Sequence, residues 1–288
     1  MGKHAYLVMA HNDWNCLSKL LQCLDDERNH IYIHIDKKVA FNESDIFKPE
    51  KAICHYITRR KVSWGGYSQI AVELDLLSAA AKEGFDYYHL LSGQDLPIKS
   101  QSFIHHFFDQ QIEPKNYFYV YKESEGLAFD RLGQYHFLQD RIGHSTGKWT
   151  AALELIEKKS LLLQRQLKIN RITSMPFEIY KGGNWFSIND KMTQYILSRK
   201  QDIKKWFKKS FCADELFLQT IAMDSPSKED IIPYNLREID WKRGKPYTYR
   251  KEDFSFLMES KGLFARKFNT ETDSAIIDMI CAANQLTD

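Results

Sequence analysis

The chain contains 288 residues, of which 43% are hydrophobic and 27% charged, and this composition is typical of a globular protein rather than a disordered or fibrous one. The formal net charge of +2 gives no reason to expect a nucleic-acid partner. The five cysteines include no C-x-x-C pair, and the apolar runs are too short for a bilayer span or a secretory signal. The sequence therefore predicts a cytoplasmic protein without disulfides.

Strand-like and helix-like segments alternate through the first 120 residues. Strands are predicted at 5–10, 31–36, 53–58, 87–92 and 116–121, and helices at 14–24, 67–84 and 102–110. This alternation predicts an α/β fold with a mostly parallel sheet covered by helices on both faces. Ligands of such sheets bind beyond the carboxyl ends of the strands, so the residues that follow each strand are the first candidates for a site.

The middle of the chain has a different pattern. From about 126 to 175 it is polar, basic and helical, and we predict a helical insertion at 122–175 within a single domain that covers 1–288. A second core-like block follows, with strands at 184–188 and 238–241 and helices near 190–208, 214–223 and 273–286.

Several common nucleotide and catalytic motifs are absent from the sequence. It has no P-loop, no G-x-G-x-x-G after the first strand, no H-E-x-x-H and no G-x-S-x-G. It also has no D-x-D, the pattern with which many sugar-nucleotide enzymes hold a divalent metal. If the substrate carries a diphosphate, lysine and arginine side chains must neutralise it.

Two segments place carboxylates at element ends. In HLLSGQDLPI (89–98), Asp95 forms a site wall or caps the following helix. In FCADELFLQTI (211–221), Asp214 and Glu215 open an apolar helix, where they satisfy backbone amides or where Glu215 acts as a general base.

A third segment concentrates positive charge near the end of the chain. The stretches DWKRGKPYTYR (240–250) and GLFARKF (262–268) carry Arg243, Arg250, Arg266 and Lys267 among aromatic residues. Either they form a solvated basic face, or the pair Arg266-Lys267, set between Phe264 and Phe268, is fixed against a core and suits a phosphate.

Together these segments resemble the core-2/I-branching β-1,6-N-acetylglucosaminyltransferase family, which includes peptide O-xylosyltransferases. The resemblance is collinear over nearly the whole chain. The matching segments are AYLVMAHN, IYIHIDKK, VSWGGYSQI, YHLLSGQDLPIKS, GGNWFSI, ADELFLQTI, IDW and LFARKF.

The resemblance implies a GT-A-type glycosyltransferase fold and an inverting, metal-independent transfer of a sugar from a UDP-sugar donor, with no cofactor. Glu215 matches the family's catalytic base, and Lys267 matches a lysine that contacts the donor diphosphate, with Arg266 beside it. A second phosphate-binding residue, an arginine, falls in a variable stretch, where we favour Arg243 over Arg250. The donor sugars found in the family are N-acetylglucosamine and xylose.

The resemblance also implies positions around the donor. Asp36 matches a position near the nucleoside, and Trp64 or Tyr67 is expected close to the donor sugar, with Asp95 on the same wall. Trp185 and Asp214 are expected to line the pocket. The acceptor-contacting residues of the family fall in the 122–175 insertion, where the sequences do not align.

Animal members of the family are membrane-anchored and carry disulfides, and this sequence shows neither, so it is similar to a bacterial-type member that builds a surface polysaccharide. The acceptor is then a glycan or a lipid-linked glycan. The stretch RKQDIKKWFKKS (199–210) has six basic residues and one acid, which indicates either a solvated helix face or a peripheral contact with an anionic membrane.

Two other functions remain open. The chain could be a non-catalytic glycan- or nucleotide-binding protein on a degenerate transferase fold. Alternatively, it could bind a metal through His34 and Asp36, which lie two apart on a predicted strand and so face one side, or through Glu271 and Asp273.

Overall fold

The structure is a computed structural model that describes residues 2–143, 147–244 and 246–286. The strands are β1 (His4–Ala10), β2 (Asn29–Ile35), β3 (Ile53–Tyr56), β4 (Tyr87–Ser92), β5 (Asp95–Pro97), β6 (Asn116–Tyr117), β7 (Tyr121–Lys122), β8 (Tyr180–Lys181), β9 (Ser187–Asn189), β10 (Ile231–Ile232), β11 (Arg237–Ile239) and β12 (Phe264–Arg266). The helices are α1 (Trp14–Cys23), α2 (Tyr67–Ala80), α3 (Gln101–Asp109), α4 (Glu125–Ala128), α5 (Gln139–Ile142), α6 (Lys148–Gln166), α7 (Asp190–Ser198), α8 (Lys200–Phe207), α9 (Phe217–Met223), α10 (Phe254–Glu259) and α11 (Ser274–Leu286).

The central sheet has the strand order β10-β6-β9-β4-β1-β2-β3. Strand β1 pairs in parallel with β2 and β4, and β2 pairs in parallel with β3, whereas β9 runs antiparallel to β4 and β6. The predicted α/β class with a mostly parallel sheet is confirmed, and the architecture is consistent with a GT-A-like glycosyltransferase fold. A smaller sheet, β11-β12-β5, and the β7-β8 hairpin lie beside it.

Each face of the central sheet carries its own hydrophobic core. Helices α1, α3 and α11 pack on one face, where Leu17, Phe108 and Ile277 are buried. Helices α2, α7 and α9 pack on the other, where Leu76, Ile196 and Phe217 are buried. Strands β1, β2 and β4 are buried on both faces. Strands β1 and β4 are accordingly mostly apolar runs, whereas β2 alternates isoleucine with tyrosine and histidine.

Side-chain caps fix where several helices begin. The Ser100 hydroxyl accepts a hydrogen bond from the Phe103 amide at the start of α3, and the Asn189 side chain accepts one from the Met192 amide at the start of α7. The prediction left open whether Asp95 caps α3. The structure assigns that position to Ser100, and Asp95 lies instead in β5, which pairs antiparallel with β12.

Element boundaries differ from the predictions in three places. The predicted strand at 116–121 is two short strands, β6 and β7, and the predicted strand at 184–188 forms only from Ser187. The helical region at 190–208 is two helices that meet at Arg199, whose guanidinium pairs with Asp202 and Asp224.

The region 122–175 contains α4, a π-helical turn at Phe129–Gly133, α5, α6 and a 3-10 turn at Ile172–Ser174, while residues 144–146 lie outside the described part. Helix α6 buries the polar residues Glu157 and Gln164 and exposes apolar ones, among them Trp149, Ile156 and Leu163. Within the described ranges, every helix is too short or too polar to cross a bilayer.

Candidate active site

The carboxyl ends of β1, β2 and β4 open into a cavity of about 1160 Å³. Residues that follow these strands line it, together with the segment 181–185, the turn 214–215 and the end of β12. A cavity of this size at the carboxyl ends of parallel strands has room for a ligand as large as a dinucleotide or a nucleotide sugar. Of the residues predicted for the site, Asp36, Trp64, Trp185, Asp214, Glu215 and Arg266 line the cavity.

Glu215 ends the 3-10 turn Ala213–Glu215 that precedes α9 and lies at the cavity wall. Its Oε2 accepts a hydrogen bond from Nη1 of Arg131 at 2.7 Å, and 38% of the Glu215 side chain remains exposed. The same guanidinium donates to the Cys212 carbonyl at 3.2 Å, which ties it to the turn. A partly exposed carboxylate that is held in place by a guanidinium can accept a hydrogen from a ligand.

The backbone of Glu215 is fixed by a glycine. The amide of Gly182 donates to the Glu215 carbonyl at 3.0 Å. A Cβ atom at position 182 would lie 1.8 Å from the Tyr119 carbonyl oxygen. Only glycine therefore allows the backbone at 182 to pass this close to the backbone at Tyr119.

Two more carboxyls face the cavity beside Glu215. Asp214 is buried, and its Oδ2 accepts hydrogen bonds from Asn184 at 2.6 Å and Gln69 at 3.2 Å. Burial raises the pKa of Asp214, and the nearby charge of Glu215 adds to this. Burial also raises the pKa of Glu73 well above its ordinary value, with a further contribution from Asp214, so Glu73 is held in its neutral form.

Arg266 lies on the opposite part of the wall, at the end of β12. Its Nη1 donates to Oδ1 of Asp95 at 2.7 Å and to the Ser92 hydroxyl, and its guanidinium lies 4.4 Å from the ring centre of Trp185. Asp95 is fully buried and also accepts the Ser92 amide hydrogen. Asp95 therefore lies behind the wall and fixes Arg266, rather than facing the cavity itself.

The other predicted cations lie outside the cavity lining. Lys267 is half-buried next to Arg266, and burial lowers its pKa, with Arg266 lowering it further. Arg243 pairs with Asp240 at 2.5 Å and with Asp253 at 2.7 Å and stacks on Tyr247. Arg250 is exposed at the start of the 3-10 turn Lys251–Asp253.

Of the residues predicted near the nucleoside and the donor sugar, Asp36 and Trp64 line the cavity and Tyr67 does not. Asp36 accepts the Lys38 amide hydrogen at 2.8 Å and pairs with the Lys38 ammonium at 3.6 Å. Trp64 is 47% exposed and packs edge-to-face on Phe211. Tyr67 begins α2 outside the cavity lining, and burial raises its pKa to about 12.

The residues weighed as metal ligands do not form a cluster at the cavity. His34 and Asp36 both line it, but Nε2 of His34 accepts the Arg60 amide hydrogen at 2.9 Å, and burial lowers the pKa of His34. Asp273 caps α11 by accepting the Ile276 amide, and Glu271 lines a separate pocket. Among the described residues, the one group of three potential ligands with atoms within 4.8 Å is His30, His55 and Glu83, away from this cavity.

Several cavity or supporting residues were not predicted from the sequence: Gln69, Glu73, Arg131, Asn184 and Arg237. Gln69 and Asn184 lie inside the segments VSWGGYSQI and GGNWFSI, so the sequence marked their location but not their role. Arg131 belongs to the helical region whose alignment was unresolved. Arg237 is buried, donates to the carbonyls of Leu90 and Phe186, and had no motif to reveal it.

Comparison with known proteins places the chain among glycosyltransferases. A family model described as Core-2/I-Branching enzyme matches residues 4–257. The chain is 21% identical to Xylosyltransferase 2 of Rattus norvegicus, over 96% of this chain and 33% of that protein. It is 23% identical to Xylosyltransferase sqv-6 of Caenorhabditis briggsae, over 91% of this chain and 34% of that protein.

A third relative is a human protein named probable beta-1,3-galactosyl-O-glycosyl-glycoprotein beta-1,6-N-acetylglucosaminyltransferase 7. It is 21% identical over 95% of this chain and 66% of its own length. The chain thus spans about a third of the length of the xylosyltransferases that it matches.

Proposed function

The chain belongs to the Core-2/I-Branching enzyme family, and from that premise we propose that it is an inverting, metal-independent glycosyltransferase. It transfers N-acetylglucosamine or xylose from a UDP-sugar to a hydroxyl of a glycan acceptor. The observation that carries the proposal is that a guanidinium-held carboxylate, Glu215, and a fixed cation, Arg266, line one cavity at the carboxyl ends of the strands.

In the proposed reaction, Glu215 takes the proton of the acceptor hydroxyl while that oxygen attacks the anomeric carbon. The bond between the anomeric carbon and the diphosphate oxygen breaks at the same time, and UDP departs with its negative charge. Arg131 holds one oxygen of Glu215 in place before the acceptor arrives. The acceptor therefore enters between Glu215 and the donor.

The charge that develops on UDP calls for fixed cations. Arg266 is immobilised by Asp95, Ser92 and Trp185, so it offers a donor group in a set position. The Asp95 charge offsets that of Arg266. We assign the net compensation to Lys267, the next residue in the chain, whose side chain would turn towards the cavity on donor binding because it lies outside the lining. Since burial and Arg266 both disfavour the charge of Lys267, a diphosphate beside it restores a favourable environment.

We propose Arg243 as the second phosphate-binding arginine, with Arg250 as the alternative. Arg243 has two carboxylate partners already and would have to leave Asp240 or Asp253 to reach a diphosphate. Arg250 is also exposed and lies at the start of the 3-10 turn Lys251–Asp253. At the other end of the donor, Asp36 and Trp64 are proposed to contact the nucleoside and the sugar, with Tyr67 supporting this wall.

Calorimetric titration of UDP into the purified protein tests the donor assignment. We expect equal affinity with excess chelator and with manganese, because amino-acid cations hold the diphosphate. Binding only with manganese would exclude the assignment of Lys267 and would favour a metal ion bound by His34 and Asp36. UDP binding without transfer from UDP-N-acetylglucosamine or UDP-xylose to any glycan would favour a non-catalytic binding protein.

We further propose that the acceptor is lipid-linked, as in assembly of a bacterial surface polysaccharide, and that the protein contacts the cytoplasmic face of the membrane peripherally. In the stretch 199–210, Lys204, Lys205, Lys208 and Lys209 are exposed, whereas Phe207 is fully buried in the core. The four lysines of this stretch, rather than Phe207, are therefore the groups available to anionic lipid.

Helix α6 supplies the apolar groups that such a contact needs. Its exposed residues Trp149, Ile156 and Leu163 are accompanied by Lys158 and Lys159. Helix α6 and the basic stretch 199–210 lie near each other, because both contact Tyr135. Gln164 of α6 forms hydrogen bonds with the Tyr135 backbone, and the Lys209 ammonium lies 5.6 Å from the centre of the Tyr135 ring. An exposed apolar stripe with flanking cations is typical of a helix that lies in a membrane interface.

Co-sedimentation with vesicles containing an anionic phospholipid tests the contact. We expect binding at low salt that weakens with ionic strength, and a clear loss in Ile156→Glu/Leu163→Glu. The matched control, Phe103→Glu/Phe256→Glu, introduces the same charges at exposed positions of α3 and α10 and should keep binding. Absence of binding at low salt would rule the contact out.

A further inference from the structure

A cluster of potential ligands lies outside the cavity, at the other end of β2. It comprises His30 near the start of β2, His55 in the adjacent edge strand β3, and Glu83 in the turn after α2. One ring nitrogen of each histidine and one carboxylate oxygen of Glu83 all lie within 4.8 Å of one another. Nδ1 of His30 is 3.1 Å from one Glu83 oxygen, and Nε2 of His55 is 3.5 Å from the other.

Neither of these nitrogens has a hydrogen-bond partner among the described residues, although both are buried. Orphaned buried nitrogens are uncommon, because each forgoes the hydrogen bonds that it made to water. A neutral imidazole has one N–H to donate to Glu83, and a protonated one can form an ion pair with it. A metal ion would give both ring nitrogens a partner at once, because it binds their lone pairs.

Aromatic packing fixes both rings. His55 stacks on Tyr32, with ring centres 4.6 Å apart and planes 13° from parallel, and His30 packs edge-to-face on Phe85 at 4.8 Å. The Tyr32 hydroxyl donates to Oε1 of Glu83 at 2.8 Å, which orients the carboxylate. These contacts resemble the outer hydrogen bonds that position metal-binding side chains in known metal sites.

We propose that His30, His55 and Glu83 bind a divalent first-row transition ion, with Zn²⁺ as the best match. Two imidazoles and one carboxylate form a common donor set for zinc. Bonds of about 2.0–2.2 Å in tetrahedral geometry separate ligand atoms by roughly 3.3–3.6 Å. This spacing is close to the distances from His30 Nδ1 to Oε2 of Glu83, 3.1 Å, and from His55 Nε2 to Oε1 of Glu83, 3.5 Å. The Glu83 side chain is 44% exposed, which leaves an entry path and a position for water.

The ion serves the fold rather than the transfer reaction. It links the edge strand β3 to β2 and to the turn that follows α2, and so fastens one margin of the sheet. His34, at the cavity, is four residues from His30 along β2, a separation of roughly 13 Å in an extended strand. The site is therefore independent of the proposed donor site, and its failure would leave the proposed function untouched.

Calorimetric titration of ZnCl₂ into chelator-treated and dialysed protein tests the proposal. We expect one equivalent of zinc, a rise in Tm on binding, and a tetrahedral ligand-field spectrum when Co²⁺ replaces zinc. His55→Gln and Glu83→Gln, which alter partly exposed positions and should not disturb the fold, should each abolish this binding. Tyr32→Phe should weaken it by roughly 10- to 100-fold.

His106→Gln is the matched control, because it removes an exposed histidine on α3, and it should bind zinc as the wild type does. Unchanged stoichiometry and affinity in folded His55→Gln would overturn the proposal and place the ion elsewhere. Failure of the folded wild-type protein to bind zinc would overturn it as well. Loss of zinc in His34→Gln, with binding kept in His55→Gln, would assign the ion to the cavity instead.

Discussion

Nη1 of Arg131 donates to Oε2 of Glu215 at 2.7 Å across 84 residues of sequence. Arg131 belongs to the helical region 122–175, whereas Glu215 ends the 3-10 turn between α8 and α9. The contact thus joins the carboxylate that we propose as the base to the region where the family's acceptor-contacting residues do not align. Through Arg131, the helical region contributes a charge to the site.

The first prediction concerns Glu215. Glu215→Gln removes the proton acceptor but keeps the size and the Arg131 contact, so we expect transfer to fall by about 10²- to 10⁴-fold while UDP affinity stays within about twofold. Initial rates with a UDP-sugar and calorimetry with UDP measure the two effects. Glu178→Gln, at an exposed glutamate that also pairs with a cation, is the control and should retain full activity. Substantial activity in Glu215→Gln would remove it as the base.

The second prediction separates the charge of Arg131 from its shape. Arg131→Met leaves the Glu215 carboxylate without its partner, and we expect kcat to fall by at least about tenfold with little change in KM for the donor. Arg131→Lys keeps a cation and should recover part of the loss. Arg165→Met, which removes an arginine from a more exposed ion pair in the same helical region, should have no such effect. Equal kcat in all three variants would show that the Arg131 contact is only structural.

The sequence predicted most of the central sheet because β1 and β4 are mostly apolar runs and β2 has the two-residue alternation of a strand. It did not reveal β5 and β12, since each has three residues and the Asp95–Arg266 contact that joins them spans 171 positions. Short strands carry too little periodicity to be recognised alone. Their pairing depends on tertiary contacts, which local pattern does not contain.

The candidate site was predictable where it coincides with strand ends and matched segments, as for Asp36, Trp185 and Glu215. Arg243 was favoured as the second phosphate-binding residue for its charge and its position in the chain. Asp240, three residues earlier, pairs with it, and that spacing was visible in the sequence. Glu73 was not predicted because it is one of several polar residues in α2, and nothing in the sequence pattern distinguishes it from the others. Only the packing of α2 against the cavity shows that Glu73 faces it.

The third prediction tests the buried Asp95–Arg266 pair. Asp95→Asn leaves the Arg266 guanidinium without its carboxylate, and we expect the free energy of unfolding to fall by about 3 kcal/mol. Urea denaturation measures the change. Asp278→Asn breaks an exposed pair with Lys19 and should cost no more than about 0.5 kcal/mol. Similar losses in both variants would show that Asp95 does not fix Arg266 in the way described.

The fourth prediction concerns pH and Glu73. The folded-state pKa of Glu73 is raised by burial, so the folded chain holds a proton that the unfolded chain releases above about pH 4.5. The stability of the wild type should therefore decline relative to Glu73→Gln as pH rises above this value, by up to about 1.4 kcal/mol per pH unit until Glu73 ionises in the folded state. Denaturation of both proteins across pH 4–8 measures the difference. A constant difference would show that Glu73 titrates normally.

The last prediction compares two adjacent glycines. A Cβ at Gly182 would meet the Tyr119 carbonyl oxygen at 1.8 Å, whereas a Cβ at Gly183 has nothing within 4 Å among the described residues. Gly182→Ala must therefore move the segment whose amide holds the Glu215 carbonyl, and a shift of about 1 Å at a reacting group can cost roughly 100-fold in rate. We expect a loss of this order in Gly182→Ala and near-normal transfer in Gly183→Ala, measured as kcat on the same donor and acceptor. Circular dichroism of Gly182→Ala must show a folded protein for the comparison to hold. If both variants transfer sugar equally well, the backbone at Gly182 does not position Glu215.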